Sequence, residues 1–368
     1  MKVALVHDHL AQDGGAEKVL QVLLEIFPDA PVYTLLCEEN NANKHYHNTT
    51  IHTSIIQKLP WGVKHYQWYM PFMPMAVEFF DLGGYDLVIS DTSSFAKGVI
   101  TSPDSLHVCY CHTPTRYLWS DTHEYIKELK YNKFFKKIIS LVLNYIRIWD
   151  RVAADRVDKY IANSRTVQQR IKKYYQADSS LIYPPVEVDK FYISNNKNEE
   201  EYFLIGCRLN PYKRVDLAIE AFRELEVKLK IFGDGPDAKR LKKLAGDSQN
   251  IEFLGRVEEE ELAQLYSNCN AFIHPQTEDF GITPVEAMAS GRPVIAYEKG
   301  GATETIIDGE TGVFFKEQTK ESLLRAVNKY YETRFSPQKI KDHASQFSKE
   351  VFTEKIKQYL QQQMGKNI

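Results

Sequence analysis

Two glutamates eight positions apart, Glu278 and Glu286, bracket the stretch EDFGITPVEAMASG at 278–291. It follows the apolar run AFIH at 271–274 and reads as a loop that opens a helix. Glu278 then lies in the loop and Glu286 about one turn inside the helix, so both can face one crevice. Between them Phe280, Gly281, Ile282 and Thr283 supply backbone N–H groups at a helix start, a seat for a phosphate or a sugar hydroxyl. Pro284 suits the first helical turn, where an N–H has no intrahelical partner. A carboxylate such as Glu286 can accept two hydrogen bonds from a vicinal diol, as a ribose presents. The plain alternative is a capped helix with two solvated glutamates.

A second group is cationic. Arg208 ends the apolar run YFLIGCRL at 202–209, and Lys213 follows Asn210-Pro211 at the start of a helical pattern. An arginine fork and a lysine point charge at the carboxyl edge of a parallel strand can grip a diphosphate and stabilise its departure. Neighbouring Arg214 reads as solvated. His112, in CYCHTPTRYLW, ends another strand and could contact a sugar hydroxyl or take a proton, and His7 and His9 end the first strand. Arg116, Tyr117 and Trp119 beside His112 suggest a sugar-facing loop. Gly14-Gly15 and Gly300-Gly301 each follow a strand; neither fits the dinucleotide fingerprint, and a structural turn explains both. No Asp-x-Asp pair and no metal-ligand spacing occurs in the chain, so the expectation is a metal-independent site in which protein groups neutralise the diphosphate.

These residues need elements to hold them. An apolar run at 2–6, a glycine-bearing loop and a helical repeat from Ala16 to Phe27 open the chain as a doubly wound α/β domain does. Further strands are expected at 32–36, 86–90, 106–111 and 160–163. A helical pattern spans about 122–162, and another helix spans 164–175. Pro184-Pro185 marks a boundary. Beyond it strands at 202–209, 227–232, 251–254, 271–274, 293–297 and 313–315 alternate with helices near 213–225, 236–246, 258–267, 283–290 and 319–332. Such alternation implies a parallel sheet covered on both faces. Run 194–201 reads as a surface loop, and 349–363 as a helix with no following strand. Two doubly wound halves with facing crevices would form one cleft.

Composition excludes several classes. The 368 residues, 43% hydrophobic and 26% charged, suit two globular domains, and a formal net charge of −3 argues against a nucleic-acid partner. Five scattered cysteines suggest a reducing, cytoplasmic setting rather than a disulfide framework. The start turns polar too early for a signal peptide, and no apolar run is long enough to span a bilayer. Lys127, Lys130, Lys133, Lys136 and Lys137 stand amid Phe134, Phe135, Ile138, Ile139, Leu141 and Trp149. Such a stretch can lie in an anionic membrane interface, or it can be ordinary helix packing with a solvated lysine face.

The motif EDFGITPVE resembles the E-x7-E signature of retaining glycosyltransferases of family 4, which have the GT-B fold. The likeness extends through Gly14-Gly15, GCRLNPYKRVDLAIEAF at 206–222, FGDGP at 232–236, LGRV at 254–257 and ASGRPVIAYEKGGATETIIDGETG at 289–312. It implies an acceptor-binding Rossmann-like domain at 1–183, a nucleotide-sugar domain at 184–348 and a helix at 349–368 packing back on the first. It further implies that Glu286 holds the ribose, Glu278 contacts the donor sugar, Phe280 to Thr283 offer backbone groups, and Arg208 and Lys213 bind the diphosphate with Gly15 approaching it. Arg256 and Val257 would lie near the base and His112 against the sugar. CHTPTRYLW resembles the branch that uses GDP-mannose for bacterial surface polysaccharides. That implies a lipid-linked saccharide acceptor at the inner face of the cytoplasmic membrane, with Arg116, Trp119, Lys133, Lys136 and Lys137 as acceptor or membrane contacts. A UDP-sugar donor and a nucleotide-sugar 2-epimerase on the same fold are the alternatives.

Overall fold

The computed structural model describes residues 1–11, 14–39, 45–129, 131–194 and 200–365; Lys130 and most of the expected loop at 194–201 lie outside these. The chain divides into two compact units, Met1–Pro185 with Phe352–Ile368, and Val186–Val351.

The first unit is built from β1 (Val3–His7), α1 (Gly15–Ile26), β2 (Val32–Thr34), β3 (Ile51–Thr53), α2 (Met73–Glu78), β4 (Leu87–Thr92), β5 (Leu106–Cys111), α3 (Thr122–Glu128), α4 (Lys133–Ala154), β6 (Lys159–Ala162), α5 (Arg165–Tyr174) and β7 (Ser179–Leu181). Its seven strands are ordered β3-β2-β1-β4-β5-β6-β7, and every neighbouring pair is parallel. Side chains alternate across a strand, so Val3 and Leu5 join α1 on one face while Ala4 and Val6 join α2 and α4 on the other. The edge strands β3 and β7 escape sequence reading because they are three residues long and only part-buried. The expected helical run 122–162 is interrupted. Asn132 caps α4 by accepting the Phe135 N–H at 3.0 Å, and residues 159–162 pair with β5 as a strand.

The second unit holds β8 (Tyr202–Gly206), α6 (Val215–Phe222), β9 (Lys228–Phe232), α7 (Ala238–Ala245), β10 (Ile251–Gly255), α8 (Glu259–Asn268), β11 (Phe272–His274), α9 (Ile282–Ala289), β12 (Val294–Tyr297), α10 (Ala302–Thr305), β13 (Gly312–Phe315), α11 (Lys320–Glu332) and α12 (Pro337–Ala344). The sheet order is β10-β9-β8-β11-β12-β13, again parallel throughout. Val186 pairs with Ser348 in an isolated parallel bridge, which ties the two ends of this unit together. The last helix, α13 (Lys349–Met364), then leaves it. Phe352, Ile356 and Leu360 recur at helical spacing and bury fully among Val3, Leu5, Leu20 and Tyr110 of the first unit.

In each sheet the strand order reverses at one place, between β1 and β4 and between β8 and β11, where open α/β sheets bind ligands beyond the strand ends. At the first of these, four ionisable side chains meet. Asp91 accepts from His7 Nδ1 at 2.8 Å and from His112 Nε2 at 2.5 Å, and Glu17 lies 3.8 Å from His7 Nε2. Burial pushes the His7 pKa down, but its hydrogen bonds and charge attraction to Asp91 and Glu17 outweigh that and raise it to about 10.

Two tests follow from this packing. Phe352→Ala should cost about 3–5 kcal/mol, read as an early unfolding transition of the first unit by circular dichroism. His7 is the second case. A raised folded-state pKa gives stability that is complete below the unfolded value of 6.5 and is lost as pH rises through about 10. Thermal melts should therefore show the first unit weakening across that window. His7→Gln should flatten the decline, and an unchanged slope would refute the charged assignment.

Candidate donor site at the second switch point

The loop after β8 and the loop after β11 meet here because their strands are neighbours in the sheet. Lys213 does not begin a helix as its spacing suggested. It closes a short 3-10 turn, Pro211–Lys213, and Arg214 then takes a left-handed conformation, φ 53°, before α6 starts at Val215. That kink points the chain so that the Lys213 ammonium forms an ion pair with Glu278 Oε1. Arg214 is half-buried and bonds Asp216 and Gln318 at 3.4 Å each. Arg208 is exposed in the loop directly after β8.

The Lys213–Glu278 pair is mostly removed from water, with side-chain exposures of 13% and 20%. Burial alone would raise the Glu278 pKa, yet the Lys213 charge holds it below the ordinary carboxylate range. Lys213 is the mirror case: burial lowers its pKa and Glu278 more than restores it. Both groups are charged at neutral pH. Lys213 Nζ also sits 5.1 Å from the Tyr212 ring centre, a cation–π approach.

Behind the pair lie groups that sequence reading did not single out. His274, at the end of β11, is fully buried, and neither of its ring nitrogens has a hydrogen-bond partner among the described residues. Burial lowers its pKa to about 4, so it is neutral. Gln276 gives its amide to Glu278 at 3.4 Å and leaves its own carbonyl oxygen buried with no partner among the described residues. Unpaired buried polar atoms are costly, and a cluster of them beside an ion pair marks a place built for another molecule. The only sequence signal for His274 was its position as the last residue of a buried strand.

Gly281 lies beside this cluster. It precedes α9 with φ 89° and ψ 90°, a conformation that side chains resist, and no side chain caps the helix start. A Cβ there would stand 3.6 Å from the His274 ring. The amides of the first turn are therefore not taken up by a capping side chain. Gly300 and Gly301 allow the approach from the other side: a Cβ on Gly300 would lie 2.3 Å from the Glu278 carbonyl, and one on Gly301 would lie 2.2 Å from that of Phe280. Phe280 is buried against Phe347. Glu286, one turn into α9, is buried and accepts from the Tyr266 hydroxyl at 3.1 Å. Ile282 and Thr283 are half-buried at the helix start. Arg256 and Val257 follow β10, two strands from β8, with Arg256 exposed.

In the first unit, Gly15 begins α1, and a Cβ on Gly14 would come 3.1 Å from Glu17 Oε2, so this turn sits over the His7–Glu17 pair. His112 is pinned by Asp91, a residue separated from it by a whole strand and invisible as a partner in the sequence. Arg116 pairs with Asp121 at 2.7 Å. It also lines a cavity of about 350 Å³ together with His9, Tyr66, Met73, Tyr117 and Tyr125. Trp119 is half-buried, stacks on Tyr174 and donates to Asp150 at 2.8 Å. Lys133 and Lys137 are exposed, and Lys136 bonds the Lys127 carbonyl. Among the described residues no group of three or more His, Cys, Asp or Glu side chains is arranged to hold a metal ion.

A glycosyltransferase of Methanocaldococcus jannaschii, itself uncharacterized, is 29% identical over 189 residues, 50% of this chain and 53% of the relative. A GDP-mannose-dependent alpha-(1-6)-phosphatidylinositol monomannoside mannosyltransferase of Mycolicibacterium smegmatis is 32% identical over 192 residues, 45% of this chain and 50% of the relative. The matched stretch thus spans about half the length of these curated relatives. The crystal structure of Anabaena HepE in complex with UDP superposes with a TM-score of 0.73 at 19% identity, covering 98% of this chain and all of that one, a likeness of fold. The model for "Glycosyltransferase Family 4" matches residues 13–190, and that for "Glycosyl transferases group 1" matches residues 188–347. With two Rossmann-like units and matches that together run from residue 13 to residue 347, the chain belongs to the family 4 glycosyltransferases of the GT-B fold.

Proposed function

We propose that this chain transfers a hexose with retention at C1, mannose from GDP-mannose being the foremost donor, onto a lipid-linked saccharide in surface-polysaccharide synthesis at the inner face of the cytoplasmic membrane. The observation that carries this reading is the Lys213–Glu278 pair at the uncapped, glycine-preceded start of α9, beside His274 with both nitrogens unpaired. Cations and helix amides at one point suit a diphosphate, and an ionised carboxylate beside them suits sugar hydroxyls.

In the proposed reaction the C1–O bond to the diphosphate breaks, and its electron pair leaves with the phosphate oxygen. The acceptor oxygen bonds C1 on the same face, and its proton passes to the departing diphosphate. The transition state has oxocarbenium character, so its demand is for charge stabilisation on the leaving group. Lys213 and Arg208 meet that demand. Glu278, held ionised, accepts hydrogen bonds from the donor sugar and is not a proton donor. Glu286 accepts from the ribose, with Tyr266 fixing its carboxylate. His112 has committed Nε2 to Asp91, which leaves Nδ1 to engage a sugar hydroxyl. The acceptor is assigned to the first-unit cavity, whose tyrosines and Arg116 suit a saccharide. No metal ion has a part in this scheme.

A UDP-sugar donor is the second reading, favoured by the UDP held in HepE. Thermal melts with GDP, GDP-mannose, UDP and UDP-glucose separate the two, since a ligand at 100 times its Kd adds about 2.7 kcal/mol to stability. A guanine nucleotide should give the larger shift, and the transfer rate should not change on adding a chelator. Donor incubated alone should remain unconverted; its epimerisation at C2 would overturn the transferase reading.

Lys213→Ala should lower kcat/KM by about 10²–10³-fold while leaving the far-ultraviolet spectrum unchanged. It also removes the principal influence holding the Glu278 pKa down, so burial should carry that pKa above the usual carboxylate value. The pH–rate profile of the variant should accordingly gain an acid limb at higher pH than the parent. Full activity in Lys213→Ala would exclude the diphosphate grip.

A further inference from the structure

The helix α4 packs only part of its apolar surface into the first unit. Leu143, Ile146, Ala153 and Ala154 are buried. Asp150, also on the inner side, is locked in a buried ion pair with Lys97 and accepts from Thr115 and Trp119. Two members of the apolar set noted in the sequence, Ile139 and Trp149, are half-buried against this same core. A second apolar row is left in solvent. Phe134 is 67% exposed, Ile138 42%, Leu141 72%, Tyr145 59%, Ile148 64% and Val152 55%. Their spacing alternates four and three residues, which lines them up within an arc of about 80° on a helix of 3.6 residues per turn. Neighbouring α2 carries exposed apolar groups of its own, along it and just past its end. Its Glu78 takes the Trp149 N–H at 2.8 Å and pairs with Arg156, and Met75 and Phe79 beside Glu78 are 44% and 68% exposed. An exposed apolar row of this kind on a globular unit marks a docking surface.

Charge identifies what covers it. Outside the paired Asp150, every Asp, Glu, Lys or Arg side chain of α4 is basic: Lys133, Lys136, Lys137, Arg147 and Arg151. Three of these lysines crowd the first turns, where the helix dipole disfavours cations and no acidic residue compensates. Side chains that cost the helix stability at that end answer to something outside it. The whole chain carries a formal charge of −3, so this basic end is a local feature. A second copy of the helix laid along the row in parallel would bring like charges together, whereas an anionic lipid surface satisfies both the apolar row and the lysines. No helix among the described residues is long and apolar enough to cross a membrane, so the contact is one of lying in the interface.

We propose that the exposed row of α4, from Phe134 to Val152, seats the first unit in an anionic lipid interface, with Lys133 and Lys137 at the level of the lipid phosphates. This gives the membrane contact of the proposed function a defined surface. It rests on that reading only for the location of the acceptor, and its test needs neither donor nor acceptor.

The test is co-sedimentation of the full chain with phosphatidylcholine vesicles, with and without phosphatidylglycerol. Binding should require the anionic lipid and weaken with salt. Leu141→Ser with Ile148→Ser should reduce partitioning by about tenfold or more, and Lys133→Glu with Lys137→Glu by about fivefold or more for each charge. All four positions are exposed, and the thermal shift given by GDP or UDP should match the parent protein. A retained nucleotide shift with lost vesicle binding separates this proposal from the donor-site reading. As a second readout, Ile148→Cys carrying an environment-sensitive dye should shift to the blue on anionic vesicles. Equal binding by the serine variant, or no binding by the parent, would overturn the proposal. So would a dimer in light scattering that Leu141→Ser dissociates, which would make the occupant a second copy of the chain.

Discussion

An ammonium and a carboxylate withdrawn from water at the end of one sheet stay charged only while each has the other. Lys213 and Glu278 come from loops that follow neighbouring strands, and their attraction offsets a desolvation cost of similar size. Such a pair contributes little net stability. What it does is hold the loop after β8 and the loop after β11 in one register and keep both groups ionised. The glycines around it are consequences of that closeness. Gly300 and Gly301 let backbone lie against the Glu278–Phe280 segment, and Gly281 turns the chain into α9, whose first amides are not taken up by a capping side chain.

The first unit meets the same constraint with other residues. Asp91, buried at the reversal point of its sheet, is held by His7 on one oxygen and His112 on the other. Its cation is an imidazole, kept protonated by two carboxylates, where the second unit uses a lysine. An imidazolium is lost at moderate alkalinity and a lysine ammonium is not, so the two units differ in how far their polar ends withstand rising pH. The common logic is that parallel sheets offer a ligand their carboxyl ends at the point of reversal, and a charge buried there needs a built-in counter-charge.

The helix α4 shows how one sequence pattern can serve two surfaces. Its apolar residues cover a wider sector than its own core contact needs, and the remainder forms the exposed row beside a basic end. Periodicity could identify an amphipathic helix there. It could not say which apolar residues turn inward, because that depends on where α2 and the Lys97–Asp150 pair anchor the helix.

The alternation of apolar runs and helical patterns was enough to identify two parallel α/β units, because buried strands and amphipathic helices leave their periods in the chain itself. The motif at 278–291 likewise announced a loop, a helix start and two carboxylates, since those depend on residues within a few positions of one another. The partners did not show. Lys213 meets Glu278 across 65 positions, Asp91 meets His7 across 84, and Tyr266 reaches Glu286 from another helix. His274 became notable only when burial left both of its nitrogens unpaired. Local order is dictated by neighbours along the chain, whereas charge state and hydrogen-bond supply at a buried point are dictated by whichever distant strands the fold sets side by side.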